Sequence, residues 1–320
     1  MTPPAAITVP PLRIDNITAC PVCRSLEAET VARGPDFEYD TCAETFTFVQ
    51  CRQCRVLYLQ NRPAVSELSR IYPAAYDSYS FHKNTNLTFM VRNWILEKRR
   101  LRAFLPLLPE EGTVMDIGCG DPCFLAELRR AASPKLCLWG NDINPAVLAH
   151  LEAAGFKTAG GRFEEIDLPA GSFDVIFMRN IIEHVATPME MLAKAFRLLR
   201  PGGKLVILTA NIDCWSARLF RKRYWFEYHF PRHWTLFDQA SFARAAQACG
   251  FKITAVKFRH SPYSWVLSIH HFLKDHGFPA LVYNRFSLHS PVSMMCGSVI
   301  DAAQQLFSGT TSNMEVILAK

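Results

Sequence analysis

The chain lacks long apolar runs and carries little net charge for its size. Its 320 residues are 49% hydrophobic and 20% charged, and the formal net charge is +6. No stretch of 18 or more uninterrupted apolar residues occurs, so no transmembrane segment is predicted. The basic residues lie in short scattered groups, which makes nucleic acid an unfavoured partner.

The N-terminus also lacks the pattern of a secretory signal. Its first residues, MTPPAAI, have no positive region followed by an apolar core. We therefore expect a cytoplasmic protein, in which cysteines stay reduced. Internal repeats and low-complexity tracts are missing too, and the length suits one large domain plus a smaller one.

Cysteine, by contrast, is plentiful: eleven occur, and four of them form two Cys-x-x-Cys pairs. These are Cys20 with Cys23, and Cys51 with Cys54, separated by 27 residues. The spacing is typical of tetrahedral zinc, and four thiolates would close the coordination shell and make the metal structural. We expect a zinc-ribbon-like module over residues 1–60. Incidental buried thiols or a redox couple are the alternative.

Residues 61–109 are expected to link this module to a larger domain. An aromatic loop, with Tyr72, Tyr76, Tyr79 and Phe81, follows a short helical pattern. Apolar residues then recur at helical intervals from about residue 86 to residue 105. We expect this helix to pack against the sheet that follows.

From residue 113 onward, strand patterns alternate with helical ones. Strands are expected at 113–118, 136–141, 173–178, 204–210, 252–258 and 314–320. Such alternation builds an α/β fold with a mostly parallel sheet covered by helices on both faces. About 55 residues separate the last two strands, and a helical insertion is expected over about 260–313. It could complete the core, cover a site, contact another copy or lie on a membrane surface, and the oligomeric state stays open.

A Gly-x-Gly turn, Gly118 to Gly120, follows the first strand of this domain. An open α/β sheet binds its ligand at this end, and glycines let the backbone approach a nucleotide-like group. Cys123 replaces the third glycine of the dinucleotide motif, and acidic Asp116 precedes the turn. Asp142 ends the next strand, where a carboxylate can accept hydrogen bonds from ribose hydroxyls. The pattern favours an adenosyl ligand over a nicotinamide dinucleotide.

Several ordered motifs resemble those of class I S-adenosylmethionine-dependent methyltransferases. The matching segments are Val114–Gly120, Trp139–Asn144, Gly171–Phe177, Asn180–Pro188 and Leu198–Leu205. The resemblance covers roughly residues 110–260 and implies a Rossmann-like, doubly wound, seven-stranded sheet within a domain over 110–320. It also implies methyl transfer from S-adenosylmethionine.

The same resemblance assigns cofactor contacts. Asp116, Gly118 and Gly120 would hold the methionyl part, Asp142 the ribose, and Ile143 the adenine. Two positions depart from the family pattern: Pro122 stands where a third glycine is usual, and Arg162 where many relatives have an acidic residue. Beside Arg162, we expect Phe163 and Glu164 to be cofactor neighbours.

The acceptor is less well defined. A four-cysteine module before this domain resembles bacterial methyltransferases associated with sugar and polysaccharide modification. The resemblance implies a small-molecule acceptor, such as a nucleotide-linked sugar. Alternatives are a quinone- or polyketide-like aromatic, an RNA or protein acceptor, and a non-catalytic binding protein that keeps the fold.

Three histidines are candidate catalytic bases, because transfer to oxygen, nitrogen or carbon removes a proton from the acceptor. His184 follows the fourth strand, and His229 and His233 lie in an aromatic segment, YWFEYHFPRHW, that resembles the acceptor side of the same group. Arg232 and Asn211 are expected to bind the acceptor, Arg232 through a bidentate contact. Each could instead hold its loop in place.

Overall fold

The computed structural model describes residues 10–73, 98–99, 101–120 and 122–320. Most of the expected aromatic loop, and most of the helix predicted over 86–105, lie outside the described residues. Tyr72 is described.

The N-terminal part consists of short antiparallel strands and one helical turn. Its elements are β1 (Ile14–Asn16), β2 (Ala28–Gly34), β3 (Phe46–Cys51), β4 (Leu57–Leu59), β5 (Asn61–Pro63) and α1 (Leu68–Ile71). Strands β2, β3 and β4 form one sheet, while β1 pairs with β5. The inward residues of β3 are almost fully buried, which matches its apolar pattern Phe-x-Phe-Val.

A seven-stranded sheet forms the larger part, as the motifs predicted. Its strands are β6 (Gly112–Ile117), β7 (Leu136–Asp142), β8 (Lys157–Gly160), β9 (Phe173–Arg179), β10 (Leu199–Ala210), β12 (Lys252–Arg259) and β13 (Asn313–Ala319). Their order is β12-β13-β10-β9-β6-β7-β8, and β13 alone among them runs antiparallel to the other six strands. The Rossmann-like fold is therefore confirmed.

The helices cover this sheet and form the insertion before β13. They are α2 (Cys123–Ala131), α3 (Pro145–Ala153), α4 (Pro188–Leu198), α5 (Trp215–Leu219), α6 (Gln239–Ala248), α7 (Pro262–Asp275), α8 (Ala280–Tyr283) and α9 (Pro291–Ser308). Pro145 and Pro188 begin their helices at positions where a backbone N–H has no helical partner. No described helix combines the length and hydropathy needed to cross a bilayer.

The pattern of the sequence did not reveal β8. The strand has only four residues, Lys-Thr-Ala-Gly, without an apolar alternation. It pairs with the edge of β7. Tertiary pairing, and not local propensity, explains this strand.

The two parts of the chain share structure. Strand β11 (Thr235–Leu236) belongs to the C-terminal part but pairs with β4 and extends the N-terminal sheet. Tyr58 and Val56 also pack in the same hydrophobic cluster as Met115 and Ile207 of the large sheet. The N-terminal part is thereby anchored over the carboxyl end of the large sheet.

Candidate functional site

The glycine turn after β6 has the open backbone that a close ligand approach requires. Gly118 has φ +59° and Gly120 has φ +54°, a region that side chains disfavour. A Cβ atom on Gly118 would lie 2.2 Å from Cδ1 of Ile181. Glycine is therefore required at Gly118 both by conformation and by space.

Asp142 fastens this turn to the end of β7. Its Oδ2 accepts a hydrogen bond from the Gly120 amide at 2.9 Å, and its Oδ1 accepts one from the Asn144 amide at 2.8 Å. Burial raises the pKa of this carboxyl. Each oxygen keeps a further lone pair, so the carboxylate can still accept from ribose hydroxyls. Ile143 beside it is 49% exposed, an apolar surface suited to a planar base.

Asp116 does not reach the surface of the site. Its side chain is completely buried and pairs with Arg179, whose Nη2 lies 3.0 Å from Oδ2. The Arg179 guanidinium also lies over the Phe124 ring, 3.8 Å from the centroid. The expectation that Asp116 touches the cofactor directly is therefore corrected: it positions Arg179, which is partly exposed.

The segment after β8 brings one more correction. Phe163 is only 2% exposed and packs in the main core. It has no free face for an adenine. The Glu164 carboxylate is partly buried and pairs with Arg162 at 3.2 Å. Arg162, which departs from the family pattern, is therefore bound to a neighbouring side chain. Glu164 stays a candidate cofactor neighbour.

The three candidate histidines come together although His184 lies far from the other two in sequence. Ring centroids are 4.5 Å apart for His184 and His233, 5.0 Å for His229 and His233, and 6.2 Å for His184 and His229. His184 lies in a 3-10 turn after β9, and the other two lie before β11. The cluster therefore lies beyond the carboxyl ends of β9 and β10, the edge at which an open α/β sheet binds its ligands.

Two of these histidines are neutral over the physiological range. Burial lowers the pKa of His184 to about 3, helped by the nearby charge of His229, and burial lowers that of His233 well below its usual value. His184 Nδ1 lies 3.1 Å from the Arg232 carbonyl oxygen, and His233 Nδ1 lies 2.7 Å from the carbonyl oxygen of Glu227. Such weakly basic rings are poor proton acceptors.

His229 has a different environment. Its Nδ1 lies 2.6 Å from Oε1 of Glu38, a residue of the loop between β2 and β3. Burial opposes ionisation of Glu38, but the charge and hydrogen bond of His229 outweigh it and hold the pKa of Glu38 below its usual value. His229 has φ +38°, an uncommon backbone conformation for a side-chain-bearing residue. The pair has the form of a carboxylate–imidazole dyad.

Arg232 does not face an acceptor. It is completely buried and forms a bidentate pair with Asp36, at 3.0 Å and 2.9 Å. Its Nε donates to the Ile71 carbonyl and Nη1 also donates to that of Phe230. The expected acceptor contact is replaced by a structural role, because the guanidinium is used to join three chain segments.

Asn211 is also a structural residue. It is completely buried, its Nδ2 donates to the carbonyls of Asp213 and Thr311, and its Oδ1 accepts from the Asp213 amide. These bonds use both N–H groups of the amide and one acceptor site of its oxygen, and they fix the turn after β10. The prediction of an acceptor contact is corrected here as well.

Two buried carboxyls lie beside the histidine cluster. Glu183 accepts a hydrogen bond from the Thr209 hydroxyl at 2.8 Å, and burial raises its pKa to about 7. Glu227 has one carboxyl oxygen without a hydrogen-bond partner among the described residues, and burial raises its pKa too. This region is polar although it is enclosed.

Two groups of described side chains could hold a metal ion. The sulfur atoms of Cys20, Cys23, Cys51 and Cys54 all lie within 4.8 Å of one another, with two pairs at 3.5 Å. Zn–S bonds of about 2.3 Å in a tetrahedron place sulfurs about 3.8 Å apart, so the four thiols fit zinc. The second group consists of Glu183, His184 and His233, with ligand atoms within 4.8 Å.

Comparison with known proteins identifies the family. Residues 90–256, just over half of the chain, match the family model described as "Methyltransferase domain". The chain belongs to this family. Its seven-stranded sheet and glycine turn agree with a class I S-adenosylmethionine-dependent methyltransferase domain.

Individual relatives are similar over the central part of the chain. A trans-aconitate 2-methyltransferase of Deinococcus radiodurans is 33% identical over 124 residues, covering 38% of this chain and 46% of the relative. A ubiquinone biosynthesis O-methyltransferase of Caulobacter vibrioides is 32% identical over 109 residues, covering 32% and 43%. The matches thus span less than half of each relative.

Solved structures agree with the fold. One is the methyltransferase chain in a complex with the Trm112 methyltransferase activator of Haloferax volcanii. It superimposes with a TM-score of 0.50 at 16% identity, covering 73% of this chain and 92% of that chain. At this identity the likeness concerns the fold alone.

Sequence reasoning missed two residues of the site. Arg179 ends the apolar strand β9, and a single charged residue at the end of such a strand could have indicated a functional role. Glu38 lies in a loop of the N-terminal part with no motif around it. Only the tertiary fold brings Glu38 to His229.

Proposed function

We propose that the chain transfers a methyl group from S-adenosylmethionine to a polar small molecule, a sugar or nucleotide-linked sugar. The observation that carries the proposal is the His229–Glu38 dyad, 2.6 Å apart, on the acceptor side of a methyltransferase fold. The cofactor would supply an electrophilic methyl group on a sulfonium. The residues of this chain would bind it, orient the acceptor and remove a proton.

On the cofactor side, the roles follow from the contacts. The Gly118–Gly120 turn would meet the methionyl part, and Asp142 would accept from the ribose hydroxyls. Ile143 would cover the adenine. Arg179, neutralised by Asp116 behind it, would face the cofactor's carboxylate, for which a guanidinium is well shaped.

On the acceptor side, His229 is the proposed base. Glu38 would hold Nδ1 of the neutral ring as a donor, and the imidazole would take the proton of an acceptor hydroxyl while the methyl group moves to that oxygen. Glu38 then stabilises the imidazolium. His184 and His233, neutral and adjacent, would hydrogen-bond the acceptor and orient it rather than act as the base.

A polar acceptor fits the surroundings of the dyad. Glu183, Glu227 and two neutral histidines offer hydrogen-bond donors and acceptors that need partners when buried. A hydroxyl-rich molecule supplies several of them. The second candidate is a quinone-like phenol, favoured by the similarity to a ubiquinone biosynthesis O-methyltransferase.

The proposal includes structural zinc on the four cysteines and a cytoplasmic location, where the thiols stay reduced. Zinc would fix the end of the β2–β3 hairpin at Cys51 and Ala28, opposite the end that carries the loop with Glu38. Metal analysis of the purified, reduced protein should give one zinc per chain, and Cys51→Ser should lose it. Cys42→Ser, outside the pairs, is the matched control.

The decisive experiment has two arms. Calorimetric titration with S-adenosylmethionine should show one site per chain. A radiolabelled-methyl screen should then find incorporation into nucleotide sugars and not into quinol precursors. No binding at millimolar cofactor would refute the enzyme, whereas binding with label only in quinols would refute the sugar acceptor.

A further inference from the structure

Two imidazoles beside the proposed base are held by the backbone in the same way. His184 Nδ1 lies 3.1 Å from the carbonyl oxygen of Arg232. His233 Nδ1 lies 2.7 Å from the carbonyl oxygen of Glu227. A carbonyl oxygen only accepts hydrogen bonds, so Nδ1 carries the hydrogen in both neutral rings and Nε2 carries the lone pair. The Tyr72 hydroxyl oxygen, 2.9 Å from His184 Nδ1, can share that hydrogen as a second acceptor.

The two imidazoles lie close to each other and to a carboxylate. One potential ligand atom from each of Glu183, His184 and His233 lies within 4.8 Å of the other two. The two ring centroids are 4.5 Å apart. Metal–nitrogen bonds of about 2.0–2.1 Å place two imidazoles on one ion with their centroids about 4.5–5 Å apart. Within the described part of the chain, neither Nε2 forms a hydrogen bond, so both lone pairs are available.

We propose that Glu183, His184 and His233 bind one divalent transition-metal ion. Two imidazole nitrogens and one carboxylate oxygen are a donor set that suits zinc and iron(II). Three protein ligands leave a coordination position open, whereas the four cysteines would close theirs. Glu183 and His233 are buried and His184 is partly exposed, so the open position can be reached past the His184 ring.

The surroundings hold the three ligands in place before an ion binds. A ligating histidine usually donates its other N–H to a carbonyl or carboxylate, and a ligating carboxylate usually accepts a hydrogen bond. Both histidines meet this condition. Thr209 donates to Glu183 Oε2 at 2.8 Å. The Trp234 amide donates to the Glu183 carbonyl at 2.6 Å, which joins the turn after β9 to the segment that carries His233.

The balance of charge beside the cluster also favours a cation. Glu183 and Glu227 are almost fully buried, and one carboxyl oxygen of Glu227 has no hydrogen-bond partner among the described residues. Buried acceptors without donors are costly. The guanidinium of Arg232 is paired with Asp36 and does not supply the missing charge. An ion would bind the ionised form of Glu183, so the raised pKa of that group belongs to the protein without the ion.

The ion would act on the acceptor, a role that rests on the proposed function. A hydroxyl oxygen in the open position would lose its proton more readily, because a metal ion lowers the pKa of the group it binds. The proton would pass to His229, whose ring centroid is 5.0 Å from that of His233, while the methyl group moves to the oxygen. His184 and His233 would orient the acceptor through the ion.

Cobalt(II) is a suitable probe, because its visible spectrum reports its ligands. Added to the full chain that carries one zinc on its cysteines, without cofactor or acceptor, cobalt should bind in one equivalent. Its d–d bands should appear without a thiolate-to-cobalt charge-transfer band. Glu183→Gln and His184→Gln should each weaken cobalt binding at least about 10-fold. His276→Gln, at an exposed histidine whose Nδ1 also faces a carbonyl, is the matched control and should bind as the wild type does.

The wild-type spectrum does not depend on the folding of any variant. No cobalt spectrum, a thiolate band, or equal binding in all four proteins would overturn the metal site. Zinc bound at the site should raise kcat for the labelled acceptor at least about 10-fold. A kcat that does not respond would overturn the role of the ion and leave the proposed function standing. Cobalt binding without any methyl transfer would instead contradict the proposed function and leave the metal site standing.

Discussion

The proposed cofactor side and the proposed acceptor side of the site differ in how the chain builds them. The bond that ties Gly120 to Asp142 joins residues 22 positions apart, at the ends of adjacent strands. The bond between Glu38 and His229 joins residues 191 positions apart. The cofactor side is a local motif, while the acceptor side depends on the N-terminal part being held over the large sheet.

This difference has a physical reason. A turn after a strand places its glycines and the next strand's carboxylate at one sheet edge, whatever the rest of the chain does. The acceptor side requires a loop of the N-terminal part to reach the segment before β11. It is therefore sensitive to changes that leave the cofactor side intact.

The sharpest way to separate the two sides is to remove the proposed base. His229→Gln should lower kcat by about 10²- to 10⁴-fold, the usual contribution of a general base. The Kd for S-adenosylmethionine should stay unchanged in calorimetry, because His229 is not among the cofactor-side residues. His276→Gln, at an exposed histidine, is the control. Equal loss of cofactor affinity would show that the two sides are not separate.

The next largest effect should come from the contact that joins the two parts of the chain. Asp36→Asn removes the charge opposite the fully buried Arg232, which should cost about 3–5 kcal/mol of unfolding free energy. Chemical denaturation measures it. Asp40→Asn, at an exposed acid paired at 3.7 Å with Lys274, should change stability by under about 1 kcal/mol. Similar losses of unfolding free energy in both variants would show that the Arg232–Asp36 ion pair does not stabilise the protein.

The raised pKa of Glu183 predicts that the stability of the protein depends on pH. Burial raises its folded pKa to about 7 from 4.5, so its stabilising contribution is complete below pH 4.5 and is lost as pH rises to about 7. Between pH 5 and pH 8 the wild type should lose more stability than Glu183→Gln, by a difference of about 3 kcal/mol. Chemical denaturation at both pH values measures this difference. If the wild type and Glu183→Gln lost the same stability, Glu183 would not have the raised pKa of a buried carboxyl.

The smallest predicted effect concerns the cofactor side. Asp142→Asn keeps the shape but weakens acceptance from ribose hydroxyls, which should raise the Kd for S-adenosylmethionine about 10- to 100-fold. Asp167→Asn, at an exposed acid nearby, should leave the Kd unchanged. Unaltered affinity in the Asp142→Asn variant would remove Asp142 from the cofactor contacts.

The same contrast explains what could be predicted from the sequence. The sheet, the glycine turn and Asp142 were predictable because strand periodicity and local motifs define them. Arg232 and Asn211 were assigned to the acceptor because their side-chain types suit it, and only tertiary contacts show them fully bonded within the protein. Glu38 could not be predicted, because its role depends entirely on a long-range contact.

One measurement tests the central claim most directly, namely that Glu38 of the N-terminal part completes the acceptor side. It compares Glu38→Gln with the wild type in kcat for the labelled acceptor and in Kd for S-adenosylmethionine. We predict a fall in kcat of at least about 10-fold with an unchanged Kd, because the dyad loses its carboxylate while the glycine turn is untouched. An unchanged kcat, in a variant as stable as the wild type, would contradict the account.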